Sequence, residues 1–164
     1  MPVGVLCLLY GVFVGYLVVS AGRMPERVAS HFDARGRADG WMGRSAHLAL
    51  MGAGGLLVPL VVVGACFAVR FASDEFINVP HREYWLAAGR RGEMEDYLFR
   101  HSLWLACLVV GMFIGLQVLV VGANTREPPR LSGAAVGLVG GFVAGVLGWV
   151  VAMYRHFRQA GGGA

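Results

Sequence analysis

The chain has no lysine: its 14 basic residues are all arginine, and only 10 residues are acidic. Charge is absent altogether from four long stretches, residues 1–22, 45–69, 102–125 and 131–154. Roughly 20 apolar residues at helical rise cross a bilayer core about 30 Å thick, and each stretch reaches that length. A hydrophobic content of 57% over 164 residues also exceeds that of typical soluble domains. The sequence therefore predicts an integral membrane protein.

These stretches predict an all-α fold, an integral membrane four-helix bundle with up-down topology. We expect a single transmembrane domain over residues 1–158, with spans at about residues 2–22, 46–69, 102–123 and 132–154. Short loops force neighbouring helices to run antiparallel, which places both termini on one side of the membrane. Residues 159–164 are predicted to form a flexible Gly-rich tail.

The distribution of arginine bears on orientation and on partners. Each predicted face carries seven arginines, so the positive-inside rule alone does not orient the chain. Anchors at the span ends favour cytoplasmic termini and a cytoplasmic second loop in the cell membrane: Arg70, Arg100, Arg155 and Arg158. Because the arginines form no contiguous stripe, we expect the lipid bilayer and no nucleic acid as a partner. Trp149, near a span end, is expected in an interfacial aromatic belt.

Glycines repeat at four-residue spacing along the fourth span, at Gly133, Gly137, Gly141 and Gly145. Small residues let helix backbones approach closely in lipid, where little hydrophobic force acts between helices. We predict that this stripe packs against the other spans of the bundle. A homodimer formed along the same stripe is the alternative.

Signatures of catalysis are lacking. The three cysteines form no CxxC pair, and no Ser or Cys stands beside a His and an acid in a nucleophile-like arrangement. We recognise no ionisable residue deep in a span, which argues against a pump or proton-coupled transporter. Gln117 is the strongly polar side chain predicted there, and we expect it to make an interhelical hydrogen bond. We therefore predict a non-enzymatic protein without a cofactor.

The first loop, residues 23–44, combines turn-forming residues with polar side chains. His31, Asp33 and Asp39 lie within nine positions of one another and are candidate metal ligands, with His47 as a further candidate. However, no zinc signature is present, and Asp residues are common in turns. We predict an ordered polar loop held by side-chain to backbone hydrogen bonds, and keep metal binding as the alternative.

Two motifs in the loops resemble those of a known family. Near the start of the first loop stands a proline, which is followed in order by His, Gly, Asp and a basic residue: Pro25, His31, Gly36, Asp39 and Arg44. After the second span comes an Asn-x-Pro-x-x-x-Tyr-Trp-Leu segment: Asn78, Pro80, Tyr84, Trp85 and Leu86. The chain thus resembles a bacterial membrane family of unknown function (domain of unknown function 1648), the module at the N-terminus of SdpI-like immunity proteins. One departure is that Ala29 and Ser30 precede His31, where relatives often have a proline.

The resemblance implies a four-span module acting in toxin or antimicrobial-peptide resistance, or in signalling, by binding a protein or peptide partner. Two alternatives remain: a small accessory subunit of a larger membrane complex, and a membrane protein that binds metal through its first loop. A homo-oligomer is compatible with each of them. The second loop mixes apolar and charged residues over 76–86, and we expect it to lie along the lipid headgroups.

Overall fold

The computed structural model describes residues 1–160. The elements, in chain order, are α1 (Pro2–Ala21), β1 (Arg27–Phe32), β2 (Ala38–Gly43), α2 (Arg44–Ala68), α3 (Arg82–Leu86), α4 (Arg91–Asn124) and α5 (Ala134–Ala160). Two short 3₁₀ turns, Val69–Phe71 and Asp74–Phe76, follow α2. Helices α1, α2, α4 and α5 are long and apolar enough to cross a membrane, which confirms the four predicted spans. Of the tail predicted at 159–164, the first two residues end α5 and the others lie outside the described residues.

Local sequence features mark the starts of the long helices. Pro2 occupies the first turn of α1, where a missing backbone N–H is tolerated. Helix α2 follows directly from β2 and contains Pro59. Helix α4 has Glu93 in its first turn, where the negative charge of the carboxylate complements the positive end of the helix dipole. With 34 residues, α4 is about 51 Å long and extends well beyond a bilayer core of about 30 Å.

Helix α4 is the centre of the bundle, since α1, α2 and α5 all pack against it. The main apolar core joins α1 to α4 and includes Phe13, Ala106 and Val110, none of which has solvent-accessible surface. Leu56 and Val63 of α2 pack against the same cluster. Helix α5 is peripheral, because the most apolar part of it contains no buried residue. The bundle is therefore a three-helix core with a fourth helix attached to α4.

The glycine stripe of α5 contributes to this packing at one end. A Cβ atom at Gly145 would lie 3.2 Å from Leu108 of α4. At Gly133, Gly137 and Gly141 a Cβ atom would meet nothing within 4 Å among the described residues. A close approach occurs instead at Gly115 of α4, where a Cβ atom would lie 2.6 Å from the side chain of Leu138. The expected packing inside the bundle is thus seen at Gly145, and the rest of the stripe lies open.

The two loops pack near opposite ends of α4. The β-hairpin covers Val120 and Val121, and the segment after α2 covers Met94. Since 26 residues separate Met94 from Val120, the two contacts are about 39 Å apart along the helix. The up-down topology requires this separation of the two loops.

Candidate functional site

The first loop is an antiparallel β-hairpin, which the sequence analysis did not predict. Strands β1 and β2 pair with a shift between Ala29 and His31, which breaks the regular alternation of side chains. The turn is held by one carboxylate: Oδ1 of Asp33 accepts hydrogen bonds from the backbone N–H groups of Arg35 and Arg37, both at 2.8 Å. The expectation of an ordered loop held by side-chain to backbone bonds is confirmed.

His31 and Asp39 form a pair on the exposed surface of the hairpin. The Nδ1 atom of His31 lies 2.5 Å from Oδ1 of Asp39. Gly40 is opposite His31 in the ladder, and a Cβ atom there would lie 2.8 Å from the Cβ of His31. Because an ionised carboxylate only accepts, Nδ1 carries the proton of this bond, and Nε2, on the far side of the ring, is directed away from the pair. The pair therefore presents one ring nitrogen beside a carboxylate.

The candidate metal ligands do not converge. Asp33 serves the hairpin turn, whereas His31 and Asp39 bond to each other. His47 is buried at the start of α2. Over residues 1–160, no group of three or more His, Cys, Asp and Glu side chains is placed to hold a metal ion. The geometry thus gives no support to the metal-binding alternative.

The hairpin is anchored to the bundle by apolar contacts on its inner side. Val28 of β1 is fully buried and packs with Met24, Val120 and Val121. Arg44 closes the base of the hairpin, because its backbone N–H donates to the carbonyl of Glu26 and its guanidinium donates to the carbonyl of Met24, 3.1 Å away. The motif residues Pro25 and Arg44 therefore lie at the junction between the hairpin and the two helices that flank it.

A side-chain amide extends the hairpin onto α4. The Oδ1 atom of Asn124 accepts a hydrogen bond from the Ala29 N–H at 2.8 Å, and its Nδ2 donates to the Ala29 carbonyl at 3.0 Å. The amide thus replaces the backbone of a neighbouring strand, and it also donates to the Val120 carbonyl of its own helix. Sequence reasoning missed Asn124, because an Asn at a helix end is ordinarily read as a cap or turn residue.

A buried polar network lies directly beneath the hairpin and joins three spans. Gln117 of α4 has no exposed surface; its Nε2 donates to Oγ of Ser20 in α1 at 2.9 Å. Its Oε1 lies 2.9 Å from Nε2 of His47 in α2 and accepts the proton of that nitrogen. The expected interhelical hydrogen bond of Gln117 is confirmed. His47, which the sequence indicated only as a further metal-ligand candidate, is buried in the first turn of α2 and is the partner that this helix contributes to the network.

The outward surface of the hairpin combines aromatic and charged groups. Trp41 is 45% exposed, although tryptophan side chains are usually well buried. The guanidinium of Arg27 lies 5.7 Å from the ring centroid of Trp41. The His31 and Asp39 pair lies further along the same two strands. We refer to Arg27, His31, Asp39 and Trp41 as the hairpin face.

The second-loop motif is packed rather than spread along the headgroup region. Trp85 is 3% exposed, lies against Phe157 of α5, and donates from Nε1 to the Phe157 carbonyl at 3.2 Å. The hydroxyl of Tyr84 bonds the guanidinium of Arg90. Asn78 and Pro80 line a cavity of about 310 Å³ beside the same part of α5. The expectation for this loop is corrected at Trp85, because its large ring is buried between the loop and the bundle.

Comparison with known families bears on the N-terminal third of the chain. Residues 5–55 match a family model described as Domain of unknown function (DUF1648). The match covers most of α1, the hairpin and the first part of α2, and so includes all five motif residues of the first loop. The resemblance is confirmed over this segment. Comparisons with curated proteins and with solved structures give no match.

Proposed function

We propose that the protein is a non-enzymatic multi-pass membrane protein that binds a peptide or protein partner through the hairpin face. One observation carries this proposal: an exposed Trp41 and an exposed His31 and Asp39 pair lie on a hairpin whose other side is buried. Trp and Arg are the residue types that most often dominate binding energy at protein interfaces.

The rigid support of the hairpin favours a role in partner recognition over a purely structural role. Its inner side is packed on α4, and Asn124 and Arg44 bond its backbone at two separate points. A surface that is already ordered loses little conformational freedom when a partner binds, so more of the contact energy appears as affinity. The structure thus supplies a pre-organised surface at one end of the bundle.

The resemblance of the first loop to the SdpI-like module suggests the kind of partner. We propose a toxin or antimicrobial peptide, or a protein that signals its presence, as the partner of the hairpin face. A peptide backbone offers hydrogen-bonding groups to Nε2 of His31, and Asp39 attracts basic side chains. These interactions require no covalent step.

A photo-crosslinking amino acid at Gly43 tests this proposal, because Gly43 is exposed and lies beside the hairpin face without belonging to it. In native membranes we expect one defined crosslinked species, which is lost when Trp41→Ala and His31→Ala are introduced. The same probe at Glu75, which is exposed near the other end of the bundle, serves as the control. A crosslink that persists in the double variant contradicts the proposal, as does unchanged antimicrobial-peptide sensitivity after deletion of the gene.

A second candidate, an accessory subunit of a larger membrane complex, is favoured by the open stripe of α5. Gly133, Gly137 and Gly141 leave room for a backbone of another chain along a helix that is otherwise peripheral. Blue-native electrophoresis of mild detergent extracts tests this candidate. A discrete larger complex that dissociates when Gly137→Leu is introduced supports it, and a free monomer in the wild type contradicts it.

A further inference from the structure

We propose that the cavity between the hairpin turn and the start of α5 binds one anionic phospholipid. Its phosphate lies between the guanidinium groups of Arg35 and Arg130, and one acyl chain follows the open face of α5. This site is separate from the hairpin face and does not depend on the partner proposed above.

The cavity has the size and the walls that such a ligand needs. It is open to the outside and has a volume of about 720 Å³ between the turn, the loop before α5 and the first turns of α5. Arg35 and Arg130 stand on its polar side, and Val136, Val139 and Gly140 line its apolar side. Volumes of this order are typical of small-molecule sites, which combine apolar walls with a few polar groups.

The polar rim is pre-organised by contacts between the turn and the loop. The N–H of Leu131 donates to the carbonyl of Gly36 at 2.8 Å, and Arg37 forms an antiparallel bridge with Arg130. Gly36 has a φ of +75°, and a Cβ atom there would lie 2.8 Å from the carbonyl oxygen of Leu131. Only glycine therefore allows this approach, which holds the backbones of Arg35 and Arg130 on the same rim.

The rim carries two arginines against one carboxylate, so its net charge is positive. Between residues 1 and 160 the ion pairs involve neither Arg35 nor Arg130. Asp33 is the acidic residue of the lining, and its Oδ1 is occupied by the two backbone N–H groups of the turn. Two guanidinium groups at the membrane surface are well suited to a phosphate, which they bind through paired hydrogen bonds.

The apolar wall indicates a lipid rather than a soluble phosphate. Val136 is 77% exposed and belongs to a helix that crosses the membrane, so the lower part of the cavity faces acyl chains. A Cβ atom at Gly140 would have nothing within 4 Å in the described part of the chain, which leaves space for a chain methylene. A soluble anion would gain nothing from this wall, whereas a phospholipid uses both the arginines and the wall.

Native mass spectrometry of the full chain in detergent, titrated with phosphatidylglycerol and with phosphatidylcholine, tests the site. We expect the wild type to prefer phosphatidylglycerol. The variant R35Q/R130Q should lose about 30-fold in phosphatidylglycerol affinity, which is about fivefold for each arginine near a membrane surface. The single variants R35Q and R130Q should each lose about fivefold. The control R23Q removes the same single charge from an exposed arginine of the same end that does not line the cavity, and should keep the wild-type affinity.

A second pair of variants tests the apolar wall without changing charge. Gly140→Leu fills the cavity and should lower phosphatidylglycerol affinity, whereas Gly148→Leu, at another open position of the same helix, should not. A loss in R23Q equal to that in each of the single variants R35Q and R130Q overturns the proposal, because bulk surface charge then explains binding. The proposal is also overturned if inorganic phosphate displaces the lipid and Gly140→Leu leaves the affinity unchanged. The site would then bind a soluble anion.

Discussion

His101 of α4 and Trp149 of α5 each donate a hydrogen bond to the other's backbone carbonyl. The distances are 3.0 Å from Nε2 of His101 and 2.9 Å from Nε1 of Trp149. Their rings also stack, with centroids 4.7 Å apart and an interplanar angle of 17°. Trp149 therefore links two helices, in addition to the interfacial position that its place in the sequence indicates. Since α4 is the long helix against which α5 mainly packs, this pair is a main attachment of α5.

Trp149→Phe should weaken the attachment of α5. The substitution retains an aromatic ring for stacking and removes the Nε1 donor, so we expect a destabilisation of about 0.6–1 kcal/mol, typical of one interhelical hydrogen bond in a membrane protein. Equilibrium unfolding in mixed detergent micelles measures it. Trp104→Phe is the matched control, because Trp104 is 47% exposed and makes no side-chain hydrogen bond within residues 1–160. Equal effects of the two substitutions would show that ring size alone matters.

Gln117→Leu should destabilise the core beneath the hairpin. His47 and Ser20 both lose a partner while they remain buried, and we expect a loss of about 1–2 kcal/mol in the free energy of unfolding. The double variant Gln117→Leu/His47→Leu removes both ends of one bond and should recover part of that loss. Thermal unfolding of the four members of this cycle provides the measurement. Strict additivity of the two single changes would contradict the coupling that the geometry implies.

Asn124→Leu should loosen the hairpin and leave the spans intact. The change removes both hydrogen bonds to Ala29, whose backbone groups then lose their partner on that edge. Hydrogen exchange should accelerate at the amides of residues 27–43 and stay unchanged in the middle of α4. Thr125→Val is the control, since its hydroxyl bonds only a carbonyl of its own helix. Acceleration of equal size in both variants would mean that the end of α4, and not the amide bridge, controls the hairpin.

Gly36→Ala should be more damaging than Gly89→Ala. Both glycines have positive φ, at +75° and +89°, so both substitutions introduce backbone strain of about 1 kcal/mol. Only at Gly36 does the new methyl group also meet a backbone atom, the Leu131 carbonyl oxygen at 2.8 Å. The difference in thermal stability between the two variants therefore measures the close approach. Equal shifts in melting temperature would show that the turn and the loop separate at little cost.

Cysteine labelling in intact cells tests the proposed orientation. In a background with Cys7, Cys66 and Cys107 replaced by Ala, Gly43→Cys should react with an impermeant maleimide, whereas Glu75→Cys should react only after lysis. The reason is that the anchoring arginines favour a cytoplasmic second loop. The opposite pattern would place the hairpin face in the cytoplasm, and a peptide partner from outside the cell would then be ruled out.

The four spans could be predicted because absence of charge over 20 residues is a strong local signal. The hairpin gave a weaker signal, since the register shift between Ala29 and His31 and the polar turn interrupt the alternation that identifies strands. Gln117 was recognised as an interhelical hydrogen-bond partner, but the residues it bonds, Ser20 and His47, are 97 and 70 residues away in sequence. No local pattern identifies such partners.

Some site residues were recognisable from local sequence, and others have roles that depend on distant parts of the chain. His31 and Asp39 were selected by their spacing, and the cross-strand pairing brings them together. Asp33 was selected by the same spacing and serves the turn instead, because two backbone N–H groups lie within its reach. The role of Trp85 depends on contact with Phe157, near the other end of the chain, which only the assembled bundle supplies.

The bond between the Leu131 N–H and the Gly36 carbonyl has a mechanical consequence. It ties the tip of the hairpin to the loop that leads from α4 into α5, whereas Asn124 ties β1 to α4 and Arg44 closes the hairpin base between α1 and α2. The hairpin is therefore a cross-brace that joins the ends of all four spans on this side of the bundle.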